Sequence, residues 1–146
     1  MTTDKKLDHI AIAVKNIDSA KELYCALFGL EETHRELIEN EGITVCFLSP
    51  LKNDLKTYAI ELISPTELTS STSNKSAVQK FIESKGEGFH HIAYLVENID
   101  AGIKEMVASG AQLLDNYPKF GSRKKKIAFF HPKSTYGCLI ELCSIS

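Results

Sequence analysis

One stretch of this chain occurs twice. Leu7-Asp8-His9-Ile10-Ala11-Ile12-Ala13-Val14-Lys15-Asn16-Ile17-Asp18 and Phe89-His90-His91-Ile92-Ala93-Tyr94-Leu95-Val96-Glu97-Asn98-Ile99-Asp100 agree at His, Ile, Ala, Val, Asn, Ile and Asp. Agreement that dense marks an internal duplication, so the chain must build two half-size modules of one topology. The repeat runs on. Val45-Cys46-Phe47-Leu48-Ser49-Pro50 aligns with Ile127-Ala128-Phe129-Phe130-His131-Pro132, and Ile60-Glu61-Leu62 aligns with Ile140-Glu141-Leu142.

Each module reads βαβββ. Leu7 to Val14 alternates and is rich in Ile, Ala and Val, a strand pattern. Asp18 is placed to cap the helix that follows, with Ser19 and Glu22 as a capping box. Ala20, Leu23, Tyr24 and Leu27 recur on one helical face, and Gly29 ends it. Strands are expected at 31–37, 44–48 and 57–63, with a turn-rich connection over 49–54. The polar run 66–75 reads as a mobile linker. It leads into a short helix capped near Ser76, with Val78, Phe81 and Ile82 on one face, broken at Gly86-Glu87-Gly88. The second module repeats the order. A strand spans 90–96. A helix is capped by Asp100, carries Ile103, Met106 and Val107 on its apolar face and stops at Gly110. Strands follow at 112–114, 126–130 and 138–143.

Composition narrows the function. Hydrophobic content of 43% and charged content of 25% are ordinary for a globular protein. A net charge of −2 gives no general attraction to nucleic acid or to an anionic membrane. No apolar run is long enough to span a bilayer. The start, Met1-Thr2-Thr3-Asp4-Lys5-Lys6, lacks a signal-peptide apolar region. This points to the cytoplasm, or to the mitochondrial matrix for a eukaryotic protein whose presequence has been removed. Cys25, Cys46, Cys138 and Cys143 form no CxxC pair and lie in apolar surroundings, which reads as reduced core cysteines.

The repeat also pairs four polar residues: His9 with His91 on the first strand of each module, Glu61 with Glu141 on the last. Strand side chains alternate faces. If the flanking Ile and Leu side chains pack under the helices, the His and Glu side chains face the other side of the sheet. A carboxylate in an apolar strand is costly unless paired or metal-bound. Two imidazoles and two carboxylates suit a divalent first-row metal, and two Glu charges neutralise it. Any one of these residues alone is ordinary; the repetition singles them out. His90 aligns with Asp8 and reads as structural. His34 and His131 have no histidine partner in the repeat.

This pattern resembles the glyoxalase, or vicinal oxygen chelate, superfamily, and within it the methylmalonyl-CoA epimerase family. The resemblance is carried by residues 7–14, by Gly86-Glu87-Gly88-Phe89-His90-His91-Ile92-Ala93, and by His131-Pro132-Lys133-Ser134 through Gly137 to Leu139-Ile140-Glu141-Leu142. It implies an α+β fold in which two tandem βαβββ modules form a cupped eight-stranded mixed sheet. The expected single domain spans 1–146, with module one at 5–65, linker and short helix at 66–88, and module two at 89–146. It also implies one divalent metal ion per chain, held by His9, Glu61, His91 and Glu141. Cobalt is the expected metal in vitro, with manganese, nickel or zinc as alternatives. The implied reaction interconverts (2R)- and (2S)-methylmalonyl-CoA by proton abstraction at C2 through a metal-stabilised enolate. Glu141 and Glu61 are the catalytic carboxylates, and a homodimer is the implied assembly. Arg123, Lys124 and Lys125 lie in a basic loop that could meet the phosphates of coenzyme A.

Three departures from the family pattern stand out. Some epimerases carry a second catalytic glutamate three residues after the glycine matching Gly42, and here that residue is Val45. Glu39, Glu41 or a ligand carboxylate is left to serve instead. The loop Gly121-Ser122-Arg123-Lys124-Lys125-Lys126 is more basic than the family type, and the linker is longer. The alternative functions are a lactoylglutathione lyase, an extradiol dioxygenase using two His and one carboxylate, and a metal-free small-molecule-binding member of the superfamily.

Overall fold

The computed structural model describes residues 3–51, 58–67, 75–115 and 117–145. Most of the linker expected at 66–75, and the end of the turn expected at 49–54, lie outside them. Eight strands form one mixed sheet: β1 (Lys6–Ala13), β2 (Leu30–Ile38), β3 (Ile43–Pro50), β4 (Ala59–Pro65), β5 (Gly88–Leu95), β6 (Lys119–Phe120), β7 (Lys126–Phe130) and β8 (Ile140–Ser144). Their order is β2-β3-β4-β1-β5-β8-β7-β6. Both modules therefore order their strands first, fourth, third, second, as a duplication requires. The described residues also hold three α-helices: α1 (Ile17–Phe28), α2 (Ala77–Lys85) and α3 (Ile99–Ala108).

The chain divides into two compact units, Ile10–His90 and Met1–His9 with His91–Ser146. The division cuts each copy of the repeated strand beside its histidine, after His9 and before His91.

Strand register is duplicated as well. In the first module Phe47 pairs with Glu61, Cys46 with Leu62 and Leu48 with Ile60. In the second, Phe129 pairs with Glu141, Ala128 with Leu142 and Phe130 with Ile140. Val14 N–H donates to the Ile63 carbonyl, and its counterpart Val96 donates to the Cys143 carbonyl.

In the unit Ile10–His90, α1 covers a cluster of Val14, Ile17, Leu30, Cys46, Leu48 and Leu62. α2 covers the other face through Val78 and Ile82, over Ala11, Ala13, Val45, Phe47 and Ile63. In the second unit α3 covers Val96, Ala128, Phe130 and Leu142. Leu142 thus faces the helix, and Glu141, next to it in the strand, faces the opposite side.

Several local expectations change. The caps are Asn16 and Asn98, whose side chains accept from Ser19 N–H and Ala101 N–H. Asp18 and Asp100 sit instead in the first helical turn, where a negative charge complements the helix dipole. The Asn was one of the repeated identities, and its short side chain reaches the third N–H as a cap must. Leu23 and Leu27 are exposed, because α1 presents Ile17, Ala20, Tyr24 and Cys25 to the sheet. Val107 is exposed on α3 in the same way. α3 ends at Ala108 with Ser109 as its cap, ahead of Gly110. The strand expected at 112–114 is a single bridge, Leu113 with Phe130, and the two-residue β6 takes the edge position. β8 begins at Ile140 rather than Cys138, and Cys138 is exposed rather than core. Cys25 is partly buried, Cys46 and Cys143 are buried, and all four cysteines are free. Burial pushes the Cys46 thiol up to about 12, so it is inert as a nucleophile near neutral pH.

The N-terminal segment is tied to α3. Glu105 accepts from the Thr3 backbone N–H, the Thr3 hydroxyl and Lys5 Nζ. The Lys5 and Thr3 donors hold its carboxyl down to about 2 from an ordinary 4.5. A lowered carboxyl stabilises the fold fully above its unfolded value and loses that contribution as pH falls through its folded value. Residues 3–5 are therefore expected to detach between pH 4.5 and about 2. The Thr3 amide resonance, followed by NMR against pH, should move through that window in the native chain and should already show the detached shift in Glu105→Gln at neutral pH.

Candidate metal centre

His9 lies on β1, His91 on β5 and Glu141 on β8. All three are buried, at 2%, 2% and 5% exposure. Their donor atoms lie within 4.8 Å of one another. The two Nε2 atoms are 3.3 Å apart. Glu141 places one oxygen 3.0 Å from His91 Nε2 and the other 3.9 Å from His9 Nε2. β5 and β8 run parallel with Ala93 opposite Glu141, which brings His91, two residues earlier on the same face, towards that carboxylate.

Each imidazole is oriented by a different neighbour. His9 Nδ1 lies 2.6 Å from Asp8 Oδ2. An ionised carboxylate only accepts, so Nδ1 carries the hydrogen, and in the neutral ring that leaves the lone pair on Nε2. Burial favours the neutral Asp8 carboxyl, but the His9 hydrogen bond and the Arg123 guanidinium outweigh it and hold the group well below the usual carboxylate range. His91 packs edge-on against Phe129, ring centroids 5.1 Å apart, and Phe129 packs in turn against Tyr117.

This donor set fits a divalent metal. Two nitrogens bound about 2.1 Å from a shared ion are roughly 3.0–3.4 Å apart at octahedral to tetrahedral angles. The observed 3.3 Å falls within that range. A carboxylate 5% exposed needs a cation or strong donors beside it. Two His and one carboxylate also match the ligand composition of non-haem iron(II) sites, so the ligands alone do not choose the reaction.

The other predicted residues fall elsewhere. Glu61 is buried on β4 at 4% exposure, in the unit Ile10–His90, and is not one of the three clustered donors. Arg123 and Lys125 turn onto Asp8: Arg123 Nη2 bonds Oδ2, and Lys125 Nζ is 3.1 Å from Oδ1. Lys124 is exposed. Val45 is buried at 1% among the residues under α2. Glu39 and Glu41 form a short turn beside Gly42. His90 packs against Phe81, His34 pairs with Glu36, and His131 caps the turn at 132–134.

Asp8 is the residue that strand alternation concealed. Its backbone position assigns it to the face opposite His9, yet its side chain bends to its neighbour's ring. The sequence signal was the acidic residue directly before a candidate ligand.

A family model for the glyoxalase/bleomycin resistance protein/dioxygenase superfamily matches residues 8–129. The chain is 38% identical to YqjC of Bacillus subtilis, over 94% of this chain and 91% of that protein. It is 34% identical to the ethylmalonyl-CoA/methylmalonyl-CoA epimerase of Cereibacter sphaeroides, over 94% of this chain and 96% of that one. Among solved structures it is similar to a variant of the Streptomyces coelicolor methylmalonyl-CoA epimerase in complex with 2-nitronate-propionyl-CoA. That similarity has a TM-score of 0.81 and 34% identity, covering 95% of this chain and 96% of that chain.

Proposed function

Because the chain belongs to the glyoxalase/bleomycin resistance protein/dioxygenase superfamily, and within it to the methylmalonyl-CoA epimerase family, we propose that it interconverts the C2 epimers of methylmalonyl-CoA. The observation that carries this reading is the buried Glu141 carboxylate, within 3.9 Å of two imidazole nitrogens. It can hold a metal and stand beside a substrate oxygen chelated there.

His9, His91 and Glu141 would hold the metal, with Glu61 as the fourth ligand. The duplicated register supports Glu61: it faces Phe47 across the sheet as Glu141 faces Phe129. When bound, the metal supplies Lewis-acid stabilisation for negative charge on the thioester oxygen. Glu141 takes the proton from C2, and the C–H electron pair passes into the thioester carbonyl as an enolate. Glu61 serves as the acid only while it is protonated and not a ligand, and then returns a proton to the other face. Each carboxylate then exchanges with solvent, so substrate and product differ only in configuration. Burial of both carboxylates keeps water from competing as the proton donor. Arg123 and Lys125 are engaged by Asp8, so Lys124 is the member of the basic loop best placed to meet an anionic coenzyme A group. The assembly is a homodimer.

The test uses metal-stripped protein reloaded with Co2+, a single epimer of methylmalonyl-CoA, and D2O. The expected result is appearance of the other epimer with deuterium at C2, absent from a chelated control. Ethylmalonyl-CoA is run in parallel, since one relative carries that substrate in its name. Bound cobalt with no exchange of either substrate would overturn the reading and direct attention to lactoylglutathione-type isomerisation.

A further inference from the structure

The loop at 121–125 is built with unusual backbone. Arg123 and Lys124 both adopt left-handed conformations, φ 56° and 57°. That region is disfavoured for any residue with a Cβ. Such strain persists where the surroundings over-determine it. Gly121 draws the loop against β7: a Cβ there would come within 2.7 Å of Ile127 Cδ1 and 3.0 Å of its Cγ2. The loop closes on itself through Gly121 N–H to the Lys125 carbonyl. Its two inward side chains, Arg123 and Lys125, converge on one carboxylate, Asp8, whose side chain is 11% exposed. Both Asp8 oxygens are occupied, Oδ1 by Lys125 and Oδ2 by Arg123 and His9. The carboxylate cannot rotate without breaking an ion pair.

We propose that Asp8, clamped by Arg123 and Lys125, is a positioning residue that fixes His9 with hydrogen on Nδ1 and presents the Nε2 lone pair to the metal. This rests on the metal-site reading above. His9 is polarised by a neighbouring anion, which raises its basicity as a ligand. The position beside His91 that corresponds to Asp8 is His90, which cannot supply an anion and packs on Phe81. The basic loop so far assigned only to substrate acts here through Asp8 on the ligand.

Full-length metal-stripped protein is titrated with Co2+, followed by visible absorption, and with Zn2+ by calorimetry. Long-range 1H–15N spectra of the histidine rings are recorded on the metal-free and zinc-loaded forms. The native chain should bind one ion and show His9 protonated on Nδ1 in both forms. Asp8→Ala should weaken binding about 10–100-fold and mix the His9 tautomers in the metal-free form, with His91 unmoved. Asp8→Asn keeps the shape should Asp8→Ala fail to fold, and should retain the tautomer while weakening binding by a smaller factor. Arg123→Gln with Lys125→Gln should fall between native and Asp8→Ala. If the native chain binds neither ion, the metal reading fails and this proposal with it. If the native chain binds while Asp8→Ala and Asp8→Asn bind equally well with His9 unchanged, the positioning role alone is overturned.

Discussion

Replacing Glu141 by Gln is expected to lower kcat for C2 epimerisation about a thousandfold, within the range general acid–base catalysis supplies. The substitution preserves shape at a position only 5% exposed, so the fold should survive. It removes the carboxylate proposed to take the proton from C2. Gln can still offer an oxygen to the metal, with lower affinity. The measurement is therefore made at saturating Co2+, with occupancy read from its visible absorption and C2 deuteration read separately from epimer formation. Full activity at full occupancy would remove Glu141 from proton transfer. Retained deuteration without epimerisation would move the base to another carboxylate, with Glu61 the first to replace.

Phe130→Ala is expected to cost about 3–5 kcal/mol of stability, the usual effect of emptying a large buried aromatic site. Phe130 is fully buried. It packs with Val96, Ile99, Ala128 and Leu142 under α3 and bridges to Leu113. Rigid strands on one side and a helix on the other leave little room for the cavity to collapse. Denaturant unfolding should show a lower midpoint with an unchanged slope. Leu27→Ala serves as the contrast. That residue is 61% exposed, so its loss should stay within about 0.5 kcal/mol. Comparable losses at the two sites would mean that α1 buries the face first expected of it. Phe130 and Glu141 occupy opposite faces of the sheet, so the folded fraction of Phe130→Ala should bind Co2+ with native affinity.

The duplication made most of the architecture legible. Two alignable strands, two alignable Phe-bearing strands and two Glu-bearing strands fix the module topology, and the observed register repeats pair by pair. The helical faces were less legible. Leu23 and Leu27 share a face with Ala20 and Tyr24 on a helical wheel, but the sheet contacts only a narrow stripe of a twelve-residue helix. Residues 112–125 resisted reading because short edge pairing depends on tertiary contacts rather than on alternation. The grouping of His9, His91 and Glu141 was legible because repetition turns three common residues into one pattern. Asp8 was not, since period-two logic assigns a side chain by its Cβ and says nothing of a short carboxylate folding back on its neighbour. The same limit left Arg123 and Lys125 legible only as members of a basic loop facing coenzyme A phosphates, when both turn onto a buried anion.

The division of the chain after His9 and after His90 has a consequence for biosynthesis. Residues Ile10–His90 form one compact unit from contiguous sequence, so a nascent chain can complete it while the rest is still being made. The other unit joins Met1–His9 to His91–Ser146 across that whole intervening stretch. It must wait for β8 to leave the ribosome, and its closure carries the entropic cost of a long loop. His9 on β1 meets Glu141 on β8 only after all the residues between them have been made. An ion held by these three donors would therefore be captured only after β8 has been made, too late to template folding of the unit Ile10–His90.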